Sequence, residues 1–162
     1  MSKQQVVMER TYEASLADVW ELWTTKDGIE SWWGPEGFRV EVQRLELRVG
    51  GKLDYLMIAE APPMVAFMKE HGMPVASEAH ITYREIVPNV RLAYDHATDF
   101  IPGVEPYDVA TKIELFAEGD ERVRMVLTFD RMHADEWTER ATAGWTQELG
   151  KLGSALAKRR AA

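Results

Sequence analysis

Near the end of the chain Trp137, Ala141, Trp145, Leu149, Leu152 and Leu156 recur at steps of four and three. That spacing places them on one stripe of an α-helix from His133 to Arg160, about seven turns long. Asp135 and Glu136 in the first turn, with Lys158, Arg159 and Arg160 in the last, follow the charge order that the helix dipole favours. Almost everything upstream has the pattern of short strands, so one long helix has one sheet to lie against. Two tryptophans on the stripe carry more volume than a flat helix-on-sheet contact takes up. The sheet is therefore expected to curl around the helix, and a curled sheet leaves space.

The upstream pattern is readable in order. Gln5 to Glu13 alternates and is rich in Val and Tyr, a first strand. Ser15, with Asp18 three residues on, caps a short helix whose apolar face is Val19, Trp20 and Trp23. A second short helix starts near Lys26, carries Ile29, Trp32 and Trp33, and stops at Gly34-Pro35. From Phe38 the period becomes two, and Gly50-Gly51 turns the chain into a second run, Lys52 to Ala59. Glu78–Val87 and Arg91–Thr98 form a hairpin around Pro88-Asn89. Asp108–Ala117 and Arg122–Asp130 form another around residues 118–121. Strands joined by hairpins, with helices segregated to the ends, make an α+β domain spanning residues 1–162, with a curved antiparallel sheet of about six to seven strands.

Composition narrows the partners. The formal charge is −8, which argues against nucleic acid and anionic membranes, because their phosphates need a clustered basic face. There are no cysteines, so thiol chemistry and disulfides are excluded. No apolar run approaches membrane-spanning length and the first residues lack a signal-peptide core, so a cytoplasmic protein without membrane insertion is expected.

Five runs then stand in order: Val19-Trp20-Glu21-Leu22-Trp23-Thr24, Trp32-Trp33-Gly34-Pro35, Leu47-Arg48-Val49-Gly50-Gly51, Tyr83 to Pro88 followed by Arg91-Leu92, and Gly144-Trp145. Together they resemble the homologues of the activator of the heat-shock protein 90 ATPase, in the START-like (helix-grip, SRPBCC) superfamily. The resemblance covers residues 6 to 157. It implies a long C-terminal helix gripped by a curved antiparallel sheet, two short helices after the first strand, and a deep apolar cavity between helix and sheet. The superfamily spans lipid carriers, polyketide cyclases and stress-linked or chaperone-linked proteins, and no catalytic motif unites it, so the fold does not select among these.

The candidate ligand-binding residues follow from this arrangement. Trp33 beside Gly34-Pro35 is placed to close the cavity and stack on a ligand. Trp137, Ala141 and Trp145 lie on the gripped stripe, where each tryptophan either lines the pocket or fills its floor. Gly144, which costs the helix about 1 kcal/mol against alanine, suggests that a strand or a ligand approaches the backbone there, or is simply a tolerated glycine. The segment Ala61–Ser77 carries Met64, Phe67, Met68 and Met73 between prolines, and reads either as an apolar lid or as an ordinary connection. His80 and His96 occupy facing strands and suit a polar pair in the wall better than a metal site. Tyr83 and Tyr94 belong to the same two strands. Glu85 shares the alternation of Ile81, Tyr83 and Val87, so it is a candidate buried carboxylate with a raised pKa; a bulge would swap its face.

No conventional catalytic constellation is present. Glu85, His80, His96 and Tyr94 are the acid–base candidates if the protein is an enzyme. No cofactor or metal is expected. The leading expectation is the binding of a small apolar or amphipathic molecule. A cyclase- or hydrolase-like enzyme and a protein-interaction module are the alternatives, with monomer and homodimer both open.

Overall fold

A computed structural model describes residues 4–161. The elements run β1 (Gln5–Tyr12), α1 (Leu16–Thr24), α2 (Lys26–Glu30), β2 (Phe38–Leu45), β3 (Lys52–Ala59), α3 (Pro62–Glu70), β4 (Ala76–Val87), β5 (Arg91–Thr98), β6 (Tyr107–Ala117), β7 (Val123–Asp130) and α4 (Asp135–Ala161). The seven strands form one curved antiparallel sheet in the order β1-β7-β6-β5-β4-β3-β2. Consecutive strands from β2 to β7 are neighbours, as hairpins require, while β1 closes onto β7 with Gln5 opposite Asp130.

Local chemistry accounts for the boundaries. Ser15 caps α1 by accepting the Asp18 N–H, and Thr25 caps α2 by accepting the Gly28 N–H. The expected second helix is shorter than its apolar run: α2 ends at Glu30, and Trp32 and Trp33 follow in a turn whose N–H groups donate to Ile29 O. Asn89 takes φ of 64° in the β4–β5 turn, a conformation asparagine tolerates better than most residues.

The Ala61–Ser77 connection contains a helix. Pro62 and Pro63 occupy the first positions of α3, where a missing N–H costs nothing, and no residue of α3 is buried. The helix sits against the β2–β3 end, tied there by Ala61 N donating to Gly37 O, with Met64 packed near Gly37.

The core lies between the concave face and α4. Leu149, Leu152 and Leu156 are buried where α4 meets β1 and α1, and Tyr12 of β1 donates its hydroxyl hydrogen to Leu149 O at 3.0 Å. Trp23 and Trp32 are fully buried, their rings edge-on at 4.7 Å, and Trp32 Nε1 donates to Leu22 O. Leu152→Ala should therefore cost about 2–5 kcal/mol through lost transfer energy and a cavity, whereas Lys158→Ala on the exposed side should cost well under ~1 kcal/mol. Urea melts read this directly, and equal midpoints for the two variants would reverse the assignment of the helix face.

Candidate functional site

The inner stripe of α4 changes character halfway along. From Leu149 onward it is buried in the core; before that, Trp137, Ala141, Gly144, Trp145 and Glu148 border a cavity of about 260 Å³. The opposite wall comes from alternate residues of the sheet, as strand geometry dictates: Tyr55 and Met57 of β3, Tyr94, His96 and Thr98 of β5, Val109 and Thr111 of β6, and Phe129 of β7. Trp33 closes the end nearest the core, edge-on to Tyr55 at 5.4 Å. The other end is bordered by Phe100, which is 59% exposed, and by Arg140, whose guanidinium lies 4.9 Å from the Trp137 ring centroid and bonds Glu136 at 2.8 Å.

Glu148 dominates the electrostatics. Its Oε1 accepts the Gly34 N–H at 2.8 Å, and among the described residues its Oε2 takes no hydrogen bond. Burial raises its pKa from 4.5 to about 7, with the Gly34 bond and the charge of Lys151 pulling the other way. Lys151 spends its ammonium elsewhere, donating to Gly34 O at 2.8 Å, Phe38 O at 3.3 Å and Trp33 O at 3.5 Å. Together with Gln147, which accepts the Glu36 N–H, these bonds clasp the 33–38 turn to α4. Burial, and next the charge of Glu148, raise the pKa of the Tyr55 phenol well above its ordinary value; burial does the same for Tyr94. His96 is pushed the other way, down to about 4 by burial, so its imidazole is neutral near pH 7.

The structure brings six of the expected residues to this cavity: Trp33, Tyr94, His96, Trp137, Ala141 and Trp145. The others lie elsewhere. Met64, Phe67 and Met68 ride on α3 and do not border the cavity; Phe67 packs on His71 with ring centroids 4.2 Å apart. The lid expectation is corrected accordingly, since α3 covers the β2–β3 end. His80 does not face His96. Ile81 is the residue opposite His96, so His80 points to the outer face and hydrogen-bonds Asp54 at 2.7 Å. Tyr83 is buried in the core, with no hydrogen-bond partner for its hydroxyl among the described residues.

Glu85 is also corrected. A bulge between Tyr83 and Glu85 turns its side chain out, where Arg91 binds both carboxylate oxygens and holds its pKa below the ordinary value rather than above it. Among the described residues, no group of three or more His, Asp or Glu side chains is placed to hold a metal ion, and no helix is long and apolar enough to cross a membrane.

Glu148 was legible but missed. Ala141, Trp145, Glu148 and Leu152 stand at steps of four, three and four, so a carboxylate falls on the apolar stripe itself. No strand approaches Gly144: a Cβ there would meet nothing within 4 Å, and the residue borders the cavity.

Residues 13–157 match the family described as Activator of Hsp90 ATPase homolog 1-like protein. The chain belongs to that family. The chain is similar in fold to a protein from Chromobacterium violaceum, at 23% identity and a TM-score of 0.76, over 94% of this chain and 96% of that one. It is similar also to an AHSA1-like protein from Aeromonas hydrophila, at 17% identity and a TM-score of 0.74, over 96% and 94% of the two chains. A third similar fold is the AHSA1 protein from Silicibacter pomeroyi, at 17% identity and a TM-score of 0.74, over 96% and 99%. No curated protein matches the sequence. These comparisons support a ligand-binding or helper-domain superfamily and name no specific ligand.

The two titrating groups act on stability with opposite signs. Glu148 has a folded-state pKa above its unfolded value, so its contribution is complete below 4.5 and is lost as pH rises through about 7. His96 is depressed from 6.5, so its contribution is complete above 6.5 and is lost as pH falls through about 4. Glu148→Gln should therefore compare more favourably with wild type at pH 8 than at pH 5. Urea melts of both proteins at the two pH values test this, and a pH-independent difference would mean that the carboxylate is well solvated.

Proposed function

We propose that this protein binds a small, largely apolar molecule in the cavity between the sheet and α4. The observation that carries the reading is the lining: Trp33, Tyr55, Tyr94, Phe129 and Trp145 supply apolar surface, while Glu148 and His96 supply polar atoms at fixed positions. Buried apolar area contributes affinity at about 25 cal/mol per Å², and the polar groups set orientation. A volume of about 260 Å³ is small. It falls just below the ~300–1,000 Å³ usual for drug-sized ligands, which suits a one- or two-ring molecule better than a long acyl chain.

A second reading, acid–base catalysis, is favoured by Glu148 and His96 bordering the same cavity. A carboxyl titrating near neutrality and a neutral imidazole are the pair that proton transfer to and from a bound substrate needs. The protein-interaction reading draws on the family's name and on no arrangement of side chains described above.

A thermal-shift screen of one- and two-ring compounds, joined to mass spectrometry of molecules that co-purify, tests the binding reading. Gly144→Leu is the matched control, because a Cβ at this cavity-lining position meets nothing within 4 Å and the larger side chain would take up cavity space. A true cavity ligand should quench tryptophan fluorescence in wild type and lose about tenfold or more in affinity in Gly144→Leu. Ligands that ignore this substitution bind elsewhere and would sink the reading. Glu85→Gln, on the outer face, should leave affinity unchanged, and a compound consumed by wild type but bound intact by Glu148→Gln would establish the enzyme instead.

A further inference from the structure

We propose, resting on the cavity-binding reading above, that the molecule this cavity is built for is a small aromatic or alicyclic amine bound as its cation. Glu148 would be its counter-ion, and Trp33, Tyr55, Tyr94 and Trp145 the surrounding walls. Three features of the site favour a cation over a neutral or anionic ligand.

The first is an incomplete carboxylate. Glu148 Oε1 is held by Gly34 N–H, but Oε2 has no hydrogen-bond or ion-pair partner among the described residues, although it belongs to a side chain bordering the cavity. Lys151 lies one turn along α4 and does not complete it, because its three donors are directed at the carbonyls of Trp33, Gly34 and Phe38. A carboxylate at a mostly apolar cavity with one oxygen uncommitted to the protein is only partly stabilised, and a ligand N–H⁺ at Oε2 would add the missing charge-assisted bond.

The second is the wall material. The aromatic rings present π-electron density, which attracts a cation in a desolvated site and does nothing for an anion. The third is the placing of positive charge. Lys151 is the cation whose charge reaches Glu148, but its ammonium is turned to the carbonyls of the 33–38 turn and does not border the cavity. Arg140 borders the cavity, but it lies eight residues before Glu148, roughly 12 Å along the helix at ~1.5 Å per residue. Its guanidinium is engaged by Glu136 and Trp137 at the exposed end. His96 is neutral near pH 7 and so does not repel a cation. The ligand is thereby oriented, with its nitrogen at the Glu148 end and its apolar body toward Val109, Phe129 and Trp137.

The test uses three probes of matched size: 2-phenylethylamine, 2-phenylethanol and phenylacetate. Each is titrated calorimetrically into the full-length protein at pH 8, where Glu148 is ionised. The amine should bind at least about tenfold more tightly than the alcohol, and phenylacetate more weakly than either. Glu148→Gln should bring the amine down to the alcohol's affinity and leave the alcohol within about threefold.

Should that variant not fold, wild type supplies the same information. The amine's advantage should shrink as pH falls from 8 to 5.5 and Glu148 takes up its proton. The other charged or titratable groups bordering the cavity or facing Glu148 are Arg140 and Lys151 on α4 and Tyr55, Tyr94 and His96 on the strands. An alcohol or phenylacetate that binds as tightly as the amine, or an amine preference that survives Glu148→Gln, overturns this inference while leaving the cavity-binding reading intact. If all three probes fail to bind, this inference falls, and the screen above decides the fate of the wider reading separately.

Discussion

The fold depends on the burial of three leucines at the C-terminal half of α4. Leu149, Leu152 and Leu156 are each at most 3% exposed, and they fix the helix against β1 and α1. With that half seated, the curvature of the sheet decides what happens under the other half. Trp145 stacks near Trp23 at 6.0 Å and props the helix at the transition, so the two turns before it stand away from β5, β6 and β7. The cavity is thus a geometric remainder between the concave sheet and the half of the helix that is not seated in the core. Its chemistry is added by residues for which the core has no use, above all Glu148.

The clasp between α4 and the 33–38 turn belongs to the same design. Gln147, Glu148 and Lys151 are polar residues on a helix face that looks toward backbone, and they satisfy N–H and C=O groups that a turn cannot pair by itself. Gly34, at φ of 92°, adopts the left-handed backbone that presents its N–H to Glu148 and its carbonyl to Lys151. One pair of side chains therefore anchors the aromatic end of the cavity and leaves one carboxylate oxygen of a cavity-lining residue uncommitted. Structural and ligand-facing roles meet in one residue.

The architecture was legible because its signals were periodic. The steps of four and three in α4, the alternation of the strands and the Gly50-Gly51 and Pro88-Asn89 turns each report backbone geometry directly. α3 was harder to read: Met64, Phe67 and Met68 stand at helical spacing, but the run is short, Ala61 offers no capping side chain, and Pro62-Pro63 with Gly72 reads as a loop. The site was half legible. Residues on regular alternation, such as Tyr94 and His96, fall where parity puts them. Glu85 does not, because one extra residue at the β4 bulge reverses every expectation beyond it. His80 fails differently: its strand partner is Asp54, and the residue that faces His96 is Ile81. Spacing along one strand says nothing about register across two.

The sheet order has a consequence for how such a chain reaches its native state. Among the described residues β1 precedes the other strands and pairs with β7 alone, so Gln5 waits for Asp130, 125 residues on. The hairpins from β2 to β7 close short loops and can zip in sequence, but the edge that β1 fills and the ledge on which α4 rests both need nearly the whole chain. Such non-local pairing is entropically expensive before it is rewarded, which places this topology among the slower folders for its size. During synthesis β1 must remain unpaired while its partner is still inside the ribosome, with Val6 and Met8 open to other contacts. The Tyr12–Leu149 hydrogen bond, which joins β1 to the last helix, is therefore among the final contacts the chain can complete.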